Sequence, residues 1–115
     1  MSQGMAEMRF DDYQKAALST AIYAERHRVI YPALGLASEA GEVAGKIKKV
    51  LRDQGGDFAK APLAAIKDEL GDVLWYVAVL AADLGLSLEE IAAENVAKLA
   101  ARKERGTIGG AGDVR

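Results

Sequence analysis

The sequence predicts an all-α fold, a four-helix bundle-like domain that pairs with a second subunit. Three observations carry the fold class. No segment alternates apolar and polar residues with period two between turn residues, so no strand is expected. Alanine, leucine, glutamate and lysine fill the stretches between breaks, which is helix-forming composition. The two prolines, Pro32 and Pro62, both fall where helices are expected to begin, where a missing N–H costs least.

Each element follows from its punctuation. A first helix is expected from about Asp11 to Arg26, with Phe10, Tyr13, Ala17, Ala21 and Ala24 spaced for one face. A second runs from about Pro32 to Arg52 and stops at Gln54-Gly55-Gly56. A third starts near Ala61-Pro62 and reaches about Leu84, with Gly85 as its left-handed terminator. Ser87 then caps a fourth helix, and Glu90 three residues later completes a capping-box pattern; that helix runs to about Arg105. The helical core thus occupies about residues 10–105 of one 115-residue domain, and residues 106–115 read as a flexible glycine-rich tail.

Composition removes whole classes of function. With 15 Lys+Arg against 17 Asp+Glu the formal charge is −2, which disfavours broad nucleic-acid or membrane affinity. There is no cysteine and a single histidine, His27, so thiolate and poly-imidazole metal sites are out. The N-terminal residues lack a signal-peptide apolar run, and no stretch reaches the roughly 18 apolar residues of a membrane span. The expectation is a cytoplasmic protein whose chemistry comes from carboxylates, amides and basic side chains. The segment Val73–Leu84, VLWYVAVLAADL, carries one charged residue. A helix apolar on all sides must be covered on all sides, so a second copy is expected against it, with Trp75 at the contact; the competing reading makes it the central helix of its own domain.

The second and third helices share an acidic pattern. Glu39-Ala-Gly-Glu42-Val matches Glu69-Leu-Gly-Asp72-Val at an offset of 30 residues, and the apolar frame around it matches too. At about 100° per residue both acid pairs line the border of their helix's apolar stripe, on the same shoulder. Gly41 and Gly71 remove side chains beside that line, where a backbone or ligand is expected to come close. Four carboxylates brought side by side repel unless a proton or a cation joins them. A hard oxygen donor set points to Mg²⁺, with Mn²⁺ as a substitute, rather than to zinc. The bland alternative is that acids at i,i+3 are simply solvated. On the fourth helix Asn95, Lys98 and Arg102 lie within about 60° of the buried face, where charged groups need acidic partners or a bound anion. Lys46, Lys48 and Lys49 read as basic surface with phosphate contact open to one of them.

At these residues the sequence resembles the MazG-like all-α nucleoside triphosphate pyrophosphohydrolases of the single-domain bacterial and phage type. Their Glu-x-x-Glu, spacer, Glu-x-x-Asp signature corresponds to Glu39/Glu42 and Glu69/Asp72, with 26 residues between, and their Asn-x-x-Lys-x-x-x-Arg to Asn95, Lys98 and Arg102. The resemblance spans about residues 8–106. It implies Mg²⁺-dependent cleavage of a (deoxy)nucleoside triphosphate to monophosphate and pyrophosphate, in nucleotide-pool house-cleaning, by a dimer or tetramer. It assigns Glu39, Glu42, Glu69 and Asp72 to metal, Glu39 also to the attacking water, and Lys98 and Arg102 to the leaving pyrophosphate, with Asn95 beside them. Gln14 and Tyr76 are the candidates for base contact, by hydrogen bond and by stacking. Ser38 stands where some relatives carry an extra acid, so the general base is open. Two rivals remain: a phosphoribosyl-ATP pyrophosphohydrolase-like enzyme, and a helix-turn-helix DNA-binding module built from residues 83–105. An acidic recognition helix beginning Leu88-Glu89-Glu90 opposes the second, and no nucleic-acid partner is expected.

Overall fold

The computed structural model describes residues 7–106. Among them there are four α-helices and no strand: α1 (Phe10–Leu18), α2 (Ile30–Asp53), α3 (Leu63–Asp83) and α4 (Leu88–Arg105). Short 3₁₀ turns at Glu25–His27 and Phe58–Lys60 lie in the first two connections. The all-α expectation holds. The glycine-rich tail expected over residues 106–115 lies outside the described residues save for Gly106, the left-handed residue that ends α4.

Seven of the eight helix boundaries lie within about two residues of their expected places, and one does not. The first helix ends at Leu18, not near Arg26. Ser19 and Thr20 turn their hydroxyls back onto the Ala16 and Ala17 carbonyls at 2.6 and 2.7 Å, and the Thr20 and Ala21 N–H groups take up tighter i→i−3 bonds. Such local bonding competes with helix continuation. The freed Thr20 oxygen then accepts the Trp75 indole N–H at 2.8 Å. Trp75 is half-buried, lies edge-on to Tyr76 and packs on the small core cluster of Ala17, Ala78 and Leu88. The residue expected at a subunit contact is therefore engaged within its own chain.

The α3–α4 junction is tied down by α1. Ser87 caps α4 by accepting the Glu90 N–H at 3.1 Å, as the capping pattern predicts. Its hydroxyl also donates to Asp11, and Asp11 accepts the Glu89 N–H at 3.1 Å. Gln14 donates to the Ala78 and Leu86 carbonyls at 3.1 and 3.0 Å and accepts the Leu88 N–H at 3.1 Å. The bend of 106° between α3 and α4 suits a helix-turn-helix, but Glu89 and Glu90 occupy the first turn of α4 and α1 covers that end.

The longest pairing is α2 against α3, antiparallel. Its register can be followed from one end: Val29, just before α2, meets Asp83; Gly35 meets Tyr76; Glu39 meets Asp72. A Cβ on Gly35 would overlap the Tyr76 ring, so glycine is what lets the helices close there. At the upper end the chain enters α2 through a tight turn. Val29 has φ +69° and ψ −55°, and the Ile30 N–H reaches the Arg28 carbonyl at 2.8 Å, a γ-turn. A β-branched residue in this region is an outlier that costs on the order of 1–3 kcal/mol and persists only where its surroundings fix it. The fixing group is Asp83, with a side chain only 3% exposed. It accepts the Tyr23 hydroxyl at 2.6 Å, the Val29 N–H at 2.9 Å and the Arg28 Nε–H at 3.4 Å. Burial alone would raise its pKa, but these three donors outweigh burial and hold it below the ordinary carboxylate value. Burial, then the bond to Asp83, pushes the Tyr23 phenol up to about 12.

The chain leaves much apolar surface uncovered. Leu63, Leu70 and Leu74 fall within about 40° of one another on α3 and are 66%, 53% and 38% exposed. Ile30, Leu34 and Leu51 are likewise exposed on α2. The radius of gyration is 17.0 Å, against about 13 Å for a compact domain of 100 residues. No single helix among the described residues is long and apolar enough to cross a membrane.

The glycines give a test. At Gly41 and Gly71 an added Cβ meets nothing within 4 Å, so no other element among the described residues comes close there. Gly41→Ala and Gly71→Ala are each expected to raise thermal stability, by about 1 kcal/mol. Gly35→Ala is expected to lower it, since the Tyr76 ring must move. Urea denaturation followed by circular dichroism reads all three.

Candidate metal centre

The centre is built by one ridge on each of two antiparallel helices. On α2, Tyr31, Gly35, Glu39, Glu42 and Lys46 follow i,i+3/i+4 steps and share a face; on α3, Glu69, Asp72 and Tyr76 do the same. Because the helices run in opposite directions, aromatic residues meet at one end of the ridge and charged residues at the other.

Glu39, Glu69 and Asp72 each present a carboxylate oxygen within 4.8 Å of the others, the first two half-buried and Asp72 exposed. Glu42, the fourth acid of the pattern, is exposed and outside this group, though its charge still acts on Glu39. The pKa of Glu39 is raised. A hydrogen bond with Glu69 is the main cause, followed by burial and by the charges of Glu69, Asp72 and Glu42. Two carboxyls sharing a proton is how such a set relieves itself without a cation. Lys46 supplies partial relief from the other side, with Nζ 3.7 Å from Glu69.

The donors fit a hard cation. Oxygens in a Mg²⁺ shell at about 2.1 Å lie about 3.0 Å apart when adjacent and about 4.2 Å when opposite, so side-chain rotations of about 1–2 Å would close the three oxygens onto one ion. Three carboxylates leave the rest of an octahedral shell to water or phosphate oxygens.

Tyr76 lies one turn along α3 from Asp72. Burial, then a hydrogen bond with Tyr31, then the charges of Tyr31, Glu39 and Asp72 all raise its pKa. Tyr31 is itself 5.0 Å from Tyr23 and 6.3 Å from Tyr76, centroid to centroid. On the other flank of α3, burial and then the Asp72 charge raise Tyr13. Tyr13, Met8, Phe10 and Leu74 line an open groove of about 480 Å³, with Arg9 and Glu89 at its rim.

The remaining expected site residues lie elsewhere. The amide of Gln14, expected at a base edge, makes the three bonds that hold α1 to the α3–α4 junction. Asn95 and Lys98 are exposed on α4, and Arg102 is buried at 2% exposure on the same helix. Lys46, Gly35, Tyr31 and Asp83 were not singled out by the acidic pattern, although Lys46 sits seven residues, two helical turns, beyond Glu39.

Comparison with known proteins agrees with this geometry. The family described as the MazG nucleotide pyrophosphohydrolase domain matches residues 32–107, which include all but the first two residues of α2, the whole of α3 and α4, and the whole acidic group. The "Gene 37 protein" of Mycobacterium phage L5 is 44% identical over 114 residues, covering 94% of this chain and 100% of the phage protein. Its name carries no activity. No solved structure matches the chain. With paired acidic helices of the expected spacing and a match across most of its length, this chain belongs to the MazG nucleotide pyrophosphohydrolase family.

Proposed function

We propose that the chain is a Mg²⁺-dependent hydrolase that cleaves a (deoxy)nucleoside triphosphate between the α and β phosphorus atoms, releasing monophosphate and pyrophosphate. The observation that carries this reading is the convergence of Glu39, Glu69 and Asp72 between two helices of a nucleotide pyrophosphohydrolase domain. A bound divalent ion supplies charge neutralisation at phosphate oxygens and a more acidic water for in-line attack.

The chain's own residues supply the rest. Glu69 and Asp72 are held by α3 as fixed oxygen donors, and Glu42 is the reserve donor at the rim. The carboxyl of Glu39 has a pKa raised by Glu69, by burial and by the neighbouring acids, which makes it the carboxylate best suited to take the proton of the attacking water as the oxygen bonds to the α phosphorus. The bridging α–β bond breaks in the same displacement and pyrophosphate leaves. Lys46, in ion-pair range of Glu69, is the near cation for a phosphate oxygen. Asn95, Lys98 and Arg102 are assigned to pyrophosphate by their match to the family's last-helix motif. The groove of Tyr13, Phe10, Met8 and Leu74 is of a size for a base, and it adjoins Asp72 through Tyr13. Tyr76, on the opposite flank of α3, is the alternative stacking surface for a base bound on that side. Cytoplasmic nucleotide-pool house-cleaning is the role this chemistry suits. A phosphoribosyl-ATP substrate uses the same bond cleavage and is separated from it by a substrate panel.

The uncovered stripe of Leu63, Leu70 and Leu74 supports assembly with a second copy.

Three outcomes test the reading. With Mg²⁺ and a panel of canonical and damaged triphosphates plus phosphoribosyl-ATP, pyrophosphate is the expected first product, and Glu39→Gln is expected to lower kcat by about 10²-fold or more; orthophosphate as first product contradicts it. The second outcome is pH dependence. The folded pKa of Glu39 lies above its ordinary 4.5, so between those two values the folded chain binds more protons than the unfolded one. Stability without metal therefore falls as pH rises through that window. Glu39→Gln should flatten the slope, and saturating Mg²⁺ should restore stability above it, as urea midpoints measured with EDTA or with Mg²⁺ would show. Third, the chain is expected to sediment as a dimer or larger at micromolar concentration, and Leu70→Asp to shift it toward monomer.

A further inference from the structure

We propose that Asp83 is a positioning residue for the carboxylate centre: by clamping the Val29 turn ahead of α2, it sets the register in which Glu39 meets Glu69 and Asp72. The inference rests on the reading of those acids as a metal centre.

Asp83 sits where an acid has no local reason to be. It is the last residue of α3, where the helix dipole disfavours negative charge, and its side chain is almost wholly buried. None of its three hydrogen-bond donors comes from its own helix. Tyr23, Arg28 and the Val29 N–H all belong to the connection between α1 and α2. An apolar residue would fill the space at less desolvation cost, so what the carboxylate adds is a fixed position for that connection.

The turn it fixes is the one strained point among the described non-glycine residues, Val29 at φ +69°. Without the bond to Asp83 this γ-turn has reason to relax, and its relaxation would move the first residues of α2. From there the contacts run to the centre without a gap. Tyr23 bonds Asp83 and lies against Tyr31; Tyr31 lies against Tyr76; the Tyr76 ring fills the notch at Gly35, one turn before Glu39. Val29 and Glu39 are ten residues apart, about 15 Å along the helix, so a small shift or rotation at the turn is carried to Glu39 by a rigid rod.

The test is Mn²⁺ binding to the full chain, read by the loss of free-ion paramagnetic signal, with circular dichroism as the check on folding. Asp83→Asn is expected to keep the helical signal and to weaken Mn²⁺ binding about tenfold. Adding Val29→Gly, which accepts the turn without strain, is expected to recover most of that loss. Tyr23→Phe removes one donor and is expected to weaken binding about threefold, so it serves if Asp83→Asn fails to fold. The proposal is overturned if the folded Asp83 and Tyr23 variants bind Mn²⁺ within twofold of the parent, with or without a lower melting temperature. It is also overturned if Val29→Gly recovers nothing. If the parent chain binds no Mn²⁺ at all, the metal-centre reading fails first and takes this one with it.

Discussion

Like charge held at short range is the constraint around which this protein is organised. Three carboxylate oxygens within 4.8 Å of one another, on helices whose other contacts are apolar and aromatic, have only a few ways to coexist. The chain shows two of them, a raised proton affinity at Glu39 beside Glu69 and the ammonium of Lys46 beside Glu69. Both are partial, and both are displaceable by a doubly charged ion. Repulsion of this kind is what a doubly charged ion relieves, and acids rather than amides create it.

Such a centre demands an exact helix pairing, and the sequence spends several residues on it. A shift of one residue is about 1.5 Å along a helix and about 100° around it, enough to turn Glu39 away from Asp72. The opposing notch and knob of Gly35 and Tyr76, the stacked tyrosines, and the buried Asp83 carboxylate at the turn all act on the same degree of freedom. On the other side of α3, Gln14, Asp11 and Ser87 fix where α4 departs. The apolar residues that a small domain would ordinarily gather into one core are instead divided. A minor cluster of Ala17, Ala78 and Leu88 lies at one end, and a row of leucines faces outward. Hydrophobic burial within one chain is therefore modest, and the polar latches carry more of the burden of alignment than they would in a well-filled bundle.

Much of this was legible before any coordinates. Helix ends marked by Gly55-Gly56, Gly85 and Ser87 fall where they were expected, because capping and left-handed termination depend on residues adjacent in the chain. The end of α1 was misplaced because the apolar period continues past Ser19 and Thr20, whose hydroxyls compete for the backbone and whose tertiary partner, Trp75, lies 55 residues away. Gln14 shows what sequence leaves open: an inward-facing amide looks the same whether it meets a nucleobase or three backbone groups of a neighbouring junction. Trp75, expected at a subunit contact, has in Thr20 a partner within its own chain that only the fold supplies.

By itself the sequence determined what is local or periodic: four helices, the matched acidic pairs, their place on the shoulder of an apolar stripe and the hard oxygen chemistry they offer. Tertiary structure decided which acids converge. Helical periodicity fixes the direction of a side chain around its own axis and says nothing about the axial offset between two helices. That offset, set by Gly35, Tyr76 and Asp83, brings Glu39 to Glu69 and Asp72, leaves Glu42 at the rim and puts Lys46 beside the cluster.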